Sequence, residues 1–311
     1  MQKLKTIFIG TPDFAVPSLK ALLADDYFNL TTVVTQPDMP VGRRLTLTAP
    51  PVKDVALAHH LNILQPQKIE QIFDQLRELQ PDIIVVAAYS KLIPENILSL
   101  PKYGCINLHG SFLPKYRGAA VIAQAILNND QEAGVAVMLM DEHLDTGPIL
   151  AQAGLPINEH DTAATLYDRL AELGAQILPI TIKKYISGEI KPQAQGDENS
   201  TYCRRLTKQD GLIDWQQPAE QVERFVRAMI PWPTAWTWIN GKQLKILEVQ
   251  PQPIGLNAQK IGKTFIYNRG LAIQCGQDAL IVKRLQLEGK NQMTSEEFLR
   301  GQSSLVGSIL G

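Results

Sequence analysis

At 311 residues the chain exceeds the size, about 250 residues, at which one hydrophobic core stops growing, so two domains are expected. With 45% hydrophobic and 20% charged residues it is neither a disordered nor a fibrous sequence, and no apolar run reaches the ~18 residues of a membrane-spanning helix. The net charge of −1 is unevenly shared: up to Cys203 there are 16 Lys+Arg against 22 Asp+Glu, from Arg204 onward 14 against 9, and the basic second part points to a polyanionic partner.

The opening MQKLKTIFIGTPDFA enters a strand pattern at once and lacks the basic-then-apolar layout of a signal peptide. Cys105, Cys203 and Cys275 are few, odd in number and far apart. That fits a reducing cytoplasm and argues against a disulfide scaffold or a cysteine zinc site. KLKTIFIG predicts a first strand, and GTPDF a turn into a helix with Phe14, Leu19, Leu22 and Leu23 at helical spacing. LTTVVTQ is a second strand, followed by a Pro-, Gly- and Arg-rich loop, PDMPVGRRLTLTAPP. PVKDVALAHH and IEQIFDQLREL read as helices on either side of the short strand NILQ. DIIVVAAY is a near-continuous apolar run, as in a strand buried on both faces of a parallel sheet. CINLH, GVAVMLM and PILAQAGLPI are further extended segments. RGAAVIAQAILNN and TAATLYDRLAELGAQILPITIKKYISG are helical.

This alternation predicts an α/β fold with an open, mostly parallel Rossmann-like sheet, whose ligands sit beyond the carboxyl ends of the strands. Asn107 and His109 lie at such an end, and DEHLDTG, which follows GVAVMLM, is expected at another. The polar stretch after Gly188 reads as a linker. Beyond it come a helix, AEQVERFVRAM, and short β-like pieces that imply a small barrel or sandwich.

GTPDF has one glycine where a dinucleotide fingerprint needs three, and no histidine pair has metal-ligand spacing, so neither NAD nor a metal is expected. The Ser111 neighbourhood, GSFLP, does not form a nucleophile elbow. Asn107 and His109, two residues apart on a strand, share a face and offer an amide N–H and a ring N–H. Asp145 adds a carboxylate. Arg117 has two readings, one that fixes the following helix and one that touches a substrate phosphate. Val85 and Val86 read as core. Trp232, Trp236 and Trp238 read as core or domain-interface residues, with stacking on nucleic-acid bases as the alternative.

NLHGSFLPKYRG followed by MDEHLDTGPIL resembles the signature of the folate-dependent formyltransferases. The likeness extends through IFIGTPDFAVPSL, DIIVVAAYSKLIP, STYCRRLTKQDGLIDW and RAMIPWPTAW to the branch of that family acting on methionyl-tRNA. The resemblance implies a catalytic set of Asn107, His109 and Asp145. It implies folate contacts from Ser111, Phe112, Leu113, Pro114, Ala88, Tyr89, Asp141 and Glu142, and tRNA contacts from Arg43 and Arg44. A formyltransferase domain over 1–188, a linker over 189–205 and an OB-like β-barrel tRNA-binding domain over 206–311 follow from it. So do 10-formyltetrahydrofolate as donor, initiator methionyl-tRNA as acceptor, no metal, a monomer and a cytoplasmic location. Formyl transfer to a sugar nucleotide is the alternative. Two positions depart from the family pattern: Phe112 stands where a leucine is usual, and Ser90 where a glycine is common.

Overall fold

The computed structural model describes residues 3–42, 45–254, 259–301 and 305–311. Its contacts divide the chain into two compact units. The first comprises the residues up to Val121, Glu132–Pro156 and Tyr167–Arg204, and the second Ile122–Gln131, Ile157–Leu166 and the chain from Arg205. Among the described residues no helix is long and apolar enough to cross a membrane.

The chain forms β1 (Leu4–Gly10), α1 (Ala15–Leu23), β2 (Phe28–Val34), a hairpin of β3 (Met39–Val41) and β4 (Thr46–Thr48), α2 (Pro51–Ala58) and β5 (Asn62–Leu64). Next come α3 (Phe73–Leu79), β6 (Ile83–Ala87), α4 (Glu95–Leu98), β7 (Cys105–His109), β8 (Arg117–Gly118) and α5 (Val121–Leu127). β9 (Glu132–Leu139), β10 (Ile149–Pro156), the 24-residue α6 (Ala163–Ile186) and β11 (Tyr202–Cys203) follow. The hairpin occupies part of the stretch expected as an irregular loop.

The seven-stranded sheet of the first unit runs β10-β9-β7-β6-β1-β2-β5. Its centre is parallel, and β6 is buried at every position, as its β-branched run requires. Val85 and Val86 are core. β9 runs antiparallel to β7, with Asn107 opposite Met138 and His109 opposite Ala136, and β10 antiparallel to β9. DEHLDTG therefore leaves beside the amino end of β7, not the carboxyl end expected. A continuous apolar strand carries no mark of its direction, which is why the sequence did not reveal this.

In the second unit, α7 (Ala219–Ala228), β12 (Ala235–Ile239), β13 (Lys242–Gln252), β14 (Thr264–Tyr267), β15 (Gly270–Gln274), β16 (Ala279–Leu287), β17 (Met293–Thr294) and α8 (Ser295–Gly301) follow one another. The sheet is antiparallel in the order β12-β13-β16-β15-β14, with β17 on β16. The last residues join its two edges. Thr264 N donates to Ser308 O and Leu310 N to Gly262 O, both at 2.9 Å, while Gly311 N donates to Trp238 O at 3.2 Å. This closes the sheet in the manner of a small barrel. Trp236 is buried, with Nε1 donating to Lys208 O at 3.0 Å. Trp238 (42% exposed) and Trp232 (54%) are not core, which removes one of the readings expected for them; Trp238 lies edge-on to Trp236 with ring centres 5.5 Å apart.

Candidate active site

β7 alternates around its polar residues. Leu108 packs so closely on α6 that a Cβ at Gly174 would lie 2.5 Å from its Cδ2. Asn107 and His109 therefore face the other side of the sheet. His109 is buried, and Nε2 lies 2.9 Å from Tyr116 O. A carbonyl only accepts, so Nε2 carries a proton. Nδ1 faces Asp145 Oδ1 at 3.7 Å, a separation that suits an ion pair when the ring holds both protons and is too long for a hydrogen bond. The half-buried Asn107 side chain has no hydrogen-bond partner among the described residues, which leaves its amide free for a ligand.

The loop after β9 doubles back to deliver Asp145. At Gly147 a Cβ would meet Leu139 O at 1.8 Å, so only glycine permits the turn. Asp141 accepts from His143 N (3.1 Å) and from Thr146 Oγ1 (2.7 Å), which shapes the loop between them. Asp145 itself sits at φ +55°, a left-handed conformation that costs on the order of 1 kcal/mol and persists only where its surroundings hold it. Oδ2 accepts the Gly118 N–H at 2.8 Å.

The expected folate contacts divide. Ser111 is buried, its hydroxyl 2.9 Å from Lys115 O and 3.1 Å from Tyr116 O, so it braces the loop after β7. Leu113 is buried against Ala136 and Met138. The Phe112 ring fills the space above Gly134 and Gly154, which face each other across β9 and β10; a Cβ on either would lie 2.6 or 2.3 Å from it. This pair of empty positions accommodates the phenyl ring where a leucine is usual. Tyr89 is buried in the core with Ile93 and Ile97, and burial, aided by the Glu70 carboxylate, holds its hydroxyl above the usual range. Ala88 and Pro114 are half-buried, and Asp141 and Glu142 exposed. Ala88 and Ser90 both have positive φ, +48° and +62°, which accounts for a glycine being common at Ser90. Arg43 and Arg44 lie outside the described residues.

Sequence reasoning passed over the segment expected as a linker. It is bonded into the first unit: Gln193 exchanges main-chain hydrogen bonds with Ile149 at 2.8 Å, and Tyr202–Cys203 pair in parallel with Arg117–Gly118. Arg117 is buried, and its guanidinium donates to Gln195 Oε1, Asp197 Oδ1 and Tyr202 OH at 3.0–3.1 Å. These partners favour neither a phosphate nor a helix as its target; Arg117 fixes the 195–202 segment.

A family model described as formyl transferase matches residues 3–182, and one described as the formyl transferase C-terminal domain matches residues 205–303. The chain belongs to the formyl transferase family. Within the family it is similar to the methionyl-tRNA formyltransferase of Caldanaerobacter subterraneus subsp. tengcongensis, with 43% identity over 99% of this chain and 100% of that protein. Among solved structures it shares its fold with an N-formyltransferase from Helicobacter canadensis, described in complex with folinic acid and dTDP-3-aminofucose. The TM-score is 0.68 at 22% identity, covering 90% of this chain and 99% of the other. The methionyl-tRNA formyltransferase from Clostridium thermocellum gives a TM-score of 0.57 at 16% identity, over 82% of this chain and 95% of that one.

Proposed function

We propose that the chain transfers the formyl group of 10-formyltetrahydrofolate to the α-amino group of methionyl-initiator tRNA, in the cytoplasm. Full-length similarity to a protein named for that reaction supports the acceptor. The observation that carries the chemistry is the free Asn107 amide on the strand face it shares with His109, whose ring faces the Asp145 carboxylate at 3.7 Å.

An α-amino group titrates near ~8 in model peptides, so much of the acceptor is already neutral at pH 7. Its lone pair attacks the formyl carbon and the carbonyl oxygen becomes an anion. Asn107 donates to that oxygen. His109 Nε2–H joins it by letting go of Tyr116 O, which keeps the Ser111 hydroxyl at 3.1 Å. The bond from carbon to the folate N10 then breaks with its electron pair on N10, which takes up one proton as the new amide nitrogen gives one up. Asp145 holds His109 in orientation and assists that departure. The half-buried Ala88 and Pro114 and the exposed Asp141 and Glu142 offer the folate its contact surface, over a wall built by Ser111, Phe112 and Leu113. Arg43 and Arg44 and the basic stretch from Arg204 onward hold the tRNA.

The test is a formylation assay with 10-formyltetrahydrofolate and three acceptors: charged initiator tRNA, a dTDP-amino sugar and water. Turnover with the tRNA alone is expected. Turnover only with the sugar nucleotide, or release of formate, overturns the reading.

A further inference from the structure

We infer that Gln195, in the segment after α6, is a positioning residue for the catalytic carboxylate; the inference rests on the function proposed above. Its amide uses its full hydrogen-bonding capacity. Oε1 accepts two N–H bonds from Arg117, Nε at 3.1 Å and Nη2 at 3.0 Å, and Nε2 donates to Asp145 O at 2.9 Å and to Gly147 O at 2.7 Å. The orientation of the amide is fixed by chemistry, because a guanidinium only donates and carbonyls only accept. Gln195 therefore joins a buried arginine to the main chain on both sides of Thr146, in the loop that carries Asp145.

Asp145 holds a left-handed backbone conformation that something must maintain. Its carboxylate is tied to Gly118 and faces His109, while its carbonyl is tied to Gln195. Arg117 neighbours Gly118 on β8, so the two ties on Asp145 lead to the same short strand. The carboxylate and the backbone that bears it are thus referenced to one element, and Gln195 supplies the second reference. Glutamate at 195 separates the two halves of this role. It still accepts from Arg117, but it has no donor and sets carboxylate lone pairs against two carbonyl oxygens.

The experiment compares Gln195→Glu and Gln195→Ala with wild type in the full-length chain. Steady-state formylation is measured together with hydrogen exchange of single amides by NMR. Expected for both variants is a 10- to 100-fold fall in kcat with KM for either substrate within threefold. The Gly118 amide, which reports directly on the Asp145 carboxylate, exchanges at least tenfold faster while the β6 amides are unchanged. A kcat within threefold of wild type, an unaltered Gly118 amide, or a loss of protection spread equally over β6 overturns the inference. If wild type formylates no tRNA, the functional reading fails, and the Gly118 amide alone then decides whether Gln195 positions Asp145.

Discussion

Gly118 donates its main-chain N–H to Asp145 Oδ2 at 2.8 Å from a conformation, φ +105°, that L side chains rarely adopt. A Cβ there would also stand 2.4 Å from Cys203 O, which itself accepts from Ala119 N at 2.8 Å. The carboxylate is thus held by a main-chain group that only glycine can present. Gly118→Ala is expected to cost about 2–3 kcal/mol in stability from backbone strain and the displaced contact. At a temperature where the variant remains folded, kcat should still fall at least tenfold; thermal unfolding read beside steady-state kinetics checks both.

Asn107 has no competing partner among the described residues, so its removal subtracts a donor and little else. Asn107→Ala should lower kcat by roughly 10²–10³ with KM nearly unchanged, because the lost bond forms as charge develops on the oxygen. Wild-type kcat in this variant would remove Asn107 from the mechanism.

Phe112 and the glycine pair beneath it predict coupling. Gly154→Ala brings a methyl into the space of the ring, whereas the same change in a Phe112→Leu background meets a smaller side chain. A double-mutant cycle by urea unfolding should give an interaction energy of about 0.5–2 kcal/mol. Additive effects would mean the ring moves aside freely.

The thiols should be silent in the folded protein. Burial pushes Cys105 up to about 12, and burial with the nearby Asp278 carboxylate does the same to Cys275; burial also raises Cys203. A raised thiol pKa means less thiolate at a given pH, on the order of 10⁻⁴ at pH 8 for a pKa near 12. A disulfide reagent at pH 8 should release no colour from the native protein over minutes and label three thiols after denaturation, the number in the sequence.

The basic second part predicts a salt-dependent tRNA complex. Affinity for the tRNA should fall steeply between about 50 and 200 mM salt, and folate affinity should change little. Equal slopes for the two ligands would contradict an electrostatic hold on the tRNA.

Much of this was legible in the sequence. The β-branched run of β6 and the alternating polar residues of β7 marked the sheet centre and the face that bears Asn107 and His109. The direction of β9 was hidden because GVAVMLM is buried nearly throughout and reads alike both ways. The β3–β4 hairpin escaped notice because Met39, Leu45 and Leu47 are exposed and leave no core-facing alternation. Gln195 was invisible for another reason: its four bonds join a side chain to a distant guanidinium and to main-chain carbonyls, and such bonds leave no periodic trace. For Trp232 and Trp238 the core reading failed, since both are exposed.

The final hydrogen bonds of the second unit carry a practical corollary. With Gly307–Gly311 removed, Thr264 of β14 and Trp238 O of β12 lose their main-chain partners, and although Leu212–Ile213 still cover β12 at Trp236, both edges offer unpaired groups to a neighbouring molecule. A chain without these residues should therefore self-associate before it unfolds.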